Sequence, residues 1–269
     1  MNQDQPQRLA SYRTIWMSDI HLGFHGCQAE LIIDFLRQTQ CQRLYLVGDI
    51  IDFWALKQHP IWPARHAEVI RALLDKAHQG TEVIYLPGNH DALMRRYVGN
   101  DFGAIALRDE VIHQGADGKR WLVLHGDRFD ALIQTRKWPA YLGSMLYDLL
   151  LDADQIVHRL RRQLGLDYWS LAAYLKRKVK NAVRYIEQYE HELVKAARHA
   201  EVDGIISGHI HHADLRLIEG IHYANCGDWV ESCTALVETH DGQMELIDWV
   251  QARKTLPFYQ PQPVLAGAN

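Results

Sequence analysis

The sequence predicts an α/β protein in which a parallel sheet is interrupted by a helical insertion, and three observations carry that prediction. Short apolar runs rich in β-branched and aromatic residues alternate with helical periodicity up to about residue 125. Residues 129–199 then lose every strand signal and show long stretches with 3.6-residue periodicity, little glycine and one proline. Strand signals return after residue 200, separated by turn dipeptides such as Asp241-Gly242. The 269 residues suffice for one large domain or two modest ones, and 48% hydrophobic with 23% charged residues excludes a disordered or collagen-like chain. No apolar run reaches the roughly 18 residues of a membrane span. The nearest, 142–151, is broken by Asp148. The first residues lack an apolar leader, and Cys27, Cys41, Cys226 and Cys233 lack Cys-x2-Cys spacing, as expected of reduced thiols in a cytoplasmic protein.

Taken in order, strands are expected at 14–17 (TIWM), 43–47 (RLYLV), 82–86 (EVIYL) and 120–124 (RWLVL). Between the first two, 28–38 forms a helix with Leu31, Ile32, Phe35 and Leu36 on one face. Between the second and third, 64–78 places Val69, Ile70, Leu73 and Leu74 at helical spacing. Strand–helix–strand repetition at this pace means parallel βαβ units, whose chemistry sits in loops at the carboxyl ends of strands. The insertion includes a long helix over 171–197, with Leu175, Val179, Val183, Ile186 and Leu193 in register. Further strands are expected at 204–207, 221–225, 234–237 and 244–249, with an antiparallel arrangement for the last three. The proline-bearing tail from residue 257 is expected to be irregular. The resulting division is a core of 1–128 with 200–269 and a helical insertion of 129–199.

Each of five strands is followed by a polar cluster beside a glycine. These are Ser18-Asp19-Ile20-His21-Leu22-Gly23, Gly48-Asp49-Ile50-Ile51-Asp52, Gly88-Asn89-His90-Asp91, His125-Gly126-Asp127 and Gly208-His209-Ile210-His211-His212. Imidazole nitrogens and carboxylate oxygens suit divalent ions such as zinc, iron and manganese. Asp19 and His21 are separated by one residue, as are His209 and His211, so each pair can turn two donors toward one space. Any single motif is a common turn former. Five in order at the ends of successive strands are not explained by turn chemistry. They also hold six of the 16 histidines, His21, His90, His125, His209, His211 and His212.

The ordered series D-x-H, G-D-x-x-D, G-N-H-D, H-G-D and G-H-x-H resembles the calcineurin-like metallophosphoesterase superfamily, over residues 19–211. The resemblance implies a four-layer αββα sandwich with two divalent metals, manganese foremost and iron or zinc as alternatives. It implies that Asp19, His21, Asp49 and His211 hold the first metal, and that Asp49 bridges to a second completed by Asn89, His125 and His209. His90 corresponds to the catalytic histidine beside the scissile phosphate, with Asp91 as its partner, and Asp52 to a position behind the ligands that orients one of them.

The insertion and the late Cys226-Gly227-Asp228-Trp229 further resemble the UDP-2,3-diacylglucosamine diphosphatase branch, which splits a pyrophosphate to UMP and a lipid sugar phosphate in lipid A synthesis. In that branch the insertion is a lid over the acyl chains. One position departs: the branch carries arginine where this chain has His90, and a permanent guanidinium fork is not equivalent to an imidazole. A paralogue with another phosphodiester or nucleotide substrate is therefore the alternative, and a non-catalytic scaffold would be expected to have lost ligands.

Charge is unevenly spread. Residues 155–200 carry ten Lys/Arg (among them Arg159, Arg161, Arg162 and Lys176) against four acids, so the segment is +6 and the rest of the −4 chain is −10. A basic helical segment suits an anionic phosphoester or nucleotide–lipid substrate, or peripheral contact with the anionic inner membrane. A solvated helix face is the equal alternative, and nucleic acid is not expected because no binding module is recognisable. Trp54 and Trp62 either wall the cleft or pack into core or loop, with packing favoured.

Overall fold

The computed structural model describes residues 9–131 and 171–255, with side chains at 131 and 171–181 left aside. The segment carrying Arg159, Arg161 and Arg162 and the tail from residue 257 lie outside the described residues. The chain divides into two compact units, 1–127 with 196–269, and 128–195. No helix among the described residues is long and apolar enough to cross a membrane.

The first unit is built on two sheets. β1 (Ala10–Met17), β2 (Thr39–Val47), β3 (Glu82–Leu86) and β5 (Ile105–Leu107) run parallel, and β4 (Asp101–Phe102) closes one edge. At the other edge β11 (Thr234–Glu238) pairs antiparallel with β1, and β12 (Met244–Asp248) with β11. The order is β12-β11-β1-β2-β3-β5-β4. The second sheet has the order β6-β7-β8-β10-β9, from β6 (Val111–Gln114), β7 (Arg120–Val123), β8 (Gly204–Ser207), β9 (Asp214–Ile218) and β10 (Ile221–Asn225).

Why the central strands read as unbroken apolar runs is visible in their two faces. Successive side chains alternate across a strand. Ile15, Met17, Leu44, Leu46, Val83 and Tyr85 enter one core, which also takes in residues of α1 (Ala29–Gln38), α3 (Ala64–His78) and α5 (Trp249–Thr255). Trp16, Tyr45, Val47, Ile84 and Leu86 face the other way, onto Trp121, Val123, Ile206 and Ala224 of the second sheet. Trp16 and Tyr45 stack there with centroids 5.6 Å apart. The large sheet is thus covered on both faces, as a parallel sheet requires. This is a mixed α/β fold of helices, sheet and sheet.

Two expectations are corrected. β10 does not join an antiparallel series with β11 and β12; it pairs parallel with β8 and antiparallel with β9, in the other sheet. Strand β9 (DLRLI) carried no apolar run because it is an edge strand with Leu217 61% exposed. Trp54 and Trp62 are not packed into the core: they are 50% and 38% exposed, on and after the short helix α2 (Phe53–Gln58). In the second unit, described side chains belong to a short 3-10 turn and to the long helix α4 (Leu171–His199), where the Tyr185 hydroxyl donates to Asp130.

Candidate metal centre

β1, β2 and β3 of one sheet and β7 and β8 of the other end at the same place, and the five polar clusters are the segments that leave them. The first two loops are zipped together by backbone bonds, His21 N to Asp49 O at 2.8 Å, Leu22 N to Ile50 O at 2.8 Å and Asp52 N to Leu22 O at 2.8 Å. The chain must turn sharply at these points. Asp19, His21, Asp49, His209 and His211 all hold positive φ, between 52° and 72°, a region costly for side-chain-bearing residues and concentrated at functional sites. Gly88 lets two loops approach, since a Cβ there would overlap Asp49 Oδ1 and come within 2.6 Å of His125 Nε2.

The side chains meet in three overlapping groups with ligand atoms within 4.8 Å of one another: Asp19, His21 and His211; Asp49, His125 and His209; and His21, Asp49 and His90. Asp49 Oδ2 stands at the middle, 3.4 Å from His125 Nε2 and 4.0 Å from both His21 Nε2 and His90 Nε2. Asp19 Oδ1 lies 3.2 Å from His211 Nε2. Each carboxylate has its second oxygen pinned by a backbone donor: His90 N to Asp49 Oδ1 at 2.8 Å and His209 N to Asp19 Oδ2 at 3.0 Å. The free oxygens are thereby aimed. Nδ1 of His125 sits 2.9 Å from the Val47 carbonyl, a contact that, with Nδ1 protonated, leaves Nε2 for the cluster.

This set fits divalent ions. Asp19 Oδ1, His21 Nε2 and Asn89 Oδ1 are buried atoms that no hydrogen bond satisfies, and such orphans are rare unless something else binds them. The electrostatics agree. Burial opposes ionisation of Asp49, yet the His125 imidazole beside it holds the carboxyl below its ordinary range. Burial likewise disfavours a charged His125, yet Asp49 and Asp19 lift it to about 10, so protons sit where a cation would.

Asp91 is placed differently from expectation. It is buried away from the His90 ring and accepts from Ile50 N at 2.8 Å, Gly88 N at 2.5 Å, Asp49 N at 3.3 Å and the Tyr85 hydroxyl. Its short side chain is consumed in tying two loops together. The carboxylate at His90 is Asp52, whose Oδ1 lies 3.0 Å from His90 Nδ1, while its Oδ2 lies 3.1 Å from His21 Nδ1. Burial of His90 works against its protonation, and Asp52 overrides that and raises its pKa. Asp52 also caps α2 by accepting from Ala55 N at 2.7 Å. On that helix the Trp54 ring lies 4.1 Å from the His90 ring, tilted 33°.

Some participants carried no readable signal. Tyr85 is one more buried strand aromatic in the sequence, and its role as Asp91's partner depends on tertiary placement. Asn225 donates to Gly208 O at 2.7 Å and accepts from Gly227 N at 3.0 Å, bracing the histidine loop. A polar residue ending an apolar strand was the available hint.

The calcineurin-like phosphoesterase family model matches residues 12–213. The chain is 26% identical over 244 residues to the UDP-2,3-diacylglucosamine hydrolase of Vibrio cholerae, covering 83% of this chain and 93% of that protein. With the Xanthomonas campestris protein of the same description it shares 26% over 249 residues, covering 85% and 96%. The Photorhabdus laumondii one is 32% identical over 119 residues, 42% of this chain and 48% of that protein. An archaeal phosphodiesterase structure aligns over 87% of this chain and 98% of its own at 11% identity, with a TM-score of 0.43. With a family model covering most of its length and donors for divalent ions gathered at its strand ends, this chain belongs to the calcineurin-like phosphoesterase family and is a metal-dependent phosphohydrolase.

Proposed function

We propose that the protein is a two-metal pyrophosphatase acting on a nucleotide-linked lipid of the UDP-2,3-diacylglucosamine kind, releasing UMP and a lipid sugar phosphate. The observation that carries this reading is the pairing of an intact donor cluster with similarity to UDP-2,3-diacylglucosamine hydrolases that runs over nearly their whole length.

Asp19, His21, Asp49 and His211 are assigned to one ion, and Asp49, Asn89, His125 and His209 to the other. Divalent ions held this way acidify water and neutralise charge on phosphoryl oxygens. The protein's own part is orientation. Asp49 and Asp19 are fixed through their pinned oxygens, so their ligand atoms need no reorganisation as charge develops. His90 is partly open to solvent and is proposed as the group at the leaving oxygen. With Nδ1 against Asp52, its Nε2 is the atom that gives the proton. Trp54 shields that imidazole on one face. The helical insertion, residues 129–199, is proposed to deal with the lipid part, and its basic residues with an anionic substrate or membrane surface.

A second reading, a paralogue for another phosphodiester or nucleotide, is favoured by one observation. His90 stands where the lipid branch has arginine, and its partner Asp52 makes it a proton donor rather than a fixed anion clamp. Manganese-supplemented assays for UMP release from UDP-2,3-diacylglucosamine and for hydrolysis of bis(p-nitrophenyl) phosphate separate the two. Release of UMP, absent in Asp49→Ala, is expected. Cleavage of the generic ester with no UMP release would leave the second reading standing.

A further inference from the structure

At the opposite ends of the same strands lies a recess that phosphohydrolysis does not use. It has a volume of about 690 Å³ and is walled by the starts of β1 and β2, the end of α1 and one side of α3. Thr39, which lines it, and the metal-centre loop lie at the two ends of β2, whose nine residues span roughly 30 Å at 3.3 Å each. The two places are therefore separate sites.

We propose that this recess is a second, non-catalytic binding site for an organic oxyanion, a phosphate- or carboxylate-bearing small molecule of nucleotide size, held by Lys76, Arg71 and Arg37. Lys76 is only 7% exposed, and its ammonium donates to the Thr39 carbonyl at 2.6 Å. An ammonium has three donors, and burying one with a single acceptor is costly unless an anion completes its shell. Burial accordingly lowers the lysine pKa, and no carboxylate counters that. Arg37 and Arg71 line the same recess with no ion pair within 4.0 Å among the described residues, and only the Asp34 carboxylate, outside the recess, acts on Arg37. Of the two carboxylates there, Glu68 is engaged by Arg65 at 2.9 Å, which leaves Asp75 against three cations. The volume falls within the range of sites for drug-sized ligands, roughly 300–1,000 Å³, and exceeds what a bare inorganic ion fills. The remaining wall, with Gln40, Gln42 and Gln79, offers hydrogen bonds to the ligand's body.

The test is calorimetric titration of the full chain, stripped of metal with EDTA, using UMP and citrate as separate probes. Binding of at least one probe is expected. A phosphate-borne ligand is indicated if UMP alone binds, and a general oxyanion site if both do. Binding should weaken about tenfold or more in Arg71→Glu, the usual cost of losing a charge-assisted contact. It should persist in the Asp49→Ala/His125→Ala double variant, which places it away from the metal centre. Lys76→Met is the more direct probe but removes a buried group. Exposed Arg71 keeps the outcome decisive if that variant does not fold. The proposal is overturned if neither probe binds at millimolar concentration, or if Arg71→Glu/Arg37→Glu binds as tightly as the unaltered chain.

Discussion

Asp52 stands behind the donors and joins two imidazoles to a helix start. One oxygen lies 3.1 Å from His21 Nδ1, and the other lies 3.0 Å from His90 Nδ1 and caps α2. These contacts hold the His21 imidazole proposed to face the ions, the His90 imidazole proposed to face the leaving group, and the helix carrying Trp54. Asp52→Ala is therefore expected to act on two properties at once. Loss of a helix cap costs about 1 kcal/mol, read as a lower melting temperature in metal-free protein. Loss of the group that orients His21 lowers metal affinity about 10- to 100-fold, read by competition with a chelating dye. An affinity equal to the unaltered chain would show that His21 is oriented by its own loop.

Among the elements, the strand-end loops depend on how closely they can approach, and Gly88 is one of the places where that approach leaves no room for a side chain. Gly88→Ala is expected to leave circular dichroism unchanged while metal content, measured by mass spectrometry, drops, because the added methyl occupies the space of Asp49 Oδ1 and His125 Nε2. The same loops explain what the sequence could reveal. Strands β3 and β8 were readable to the residue because both faces of each are buried, and a continuous apolar run marks them without ambiguity. The first four residues of β1 and of β2 were not, since they pass beyond the core into exposed, polar pairing such as Ser11 with Gln40. Strands β4, β5 and β6 are two to four residues long and too short for any period to show. In the site, donor types and their order were legible because each follows a strand. Which carboxylate serves His90 was not. Asp52 and Asp91 are equivalent as letters, and adjacency in sequence favours the wrong one.

At the scale of the whole molecule, a buried polar network outside the donor cluster ties the two sheets together. Glu238 is fully buried and accepts from Arg13 Nη1 at 2.6 Å, Thr14 Oγ1 at 2.8 Å and Ala116 N at 2.7 Å, with His113 Nε2 3.1 Å away. Burial alone would raise its pKa, but these donors, His113 first, hold it down to about 2. A carboxyl depressed on folding contributes stability that is complete above its ordinary pKa and is lost as pH falls toward its folded value. Stability is thus expected to drop between about pH 4.5 and 2, by an amount on the order of 2 kcal/mol for this group. Glu238→Gln should be less stable at pH 7 and show a flatter melting-temperature profile across that interval. Parallel profiles would locate acid sensitivity elsewhere. The convergence of five loops on one point also has a consequence for the order in which the protein matures. The donors are spread from Asp19 to His211, and His209 and His211 enter only after three quarters of the chain. A ribosome-bound chain that has just emerged through His125 presents the donors of four loops and lacks the last pair. Full loading with metal therefore waits until His209 and His211 have been made, and a chain cut short before residue 209 is left with an incomplete centre.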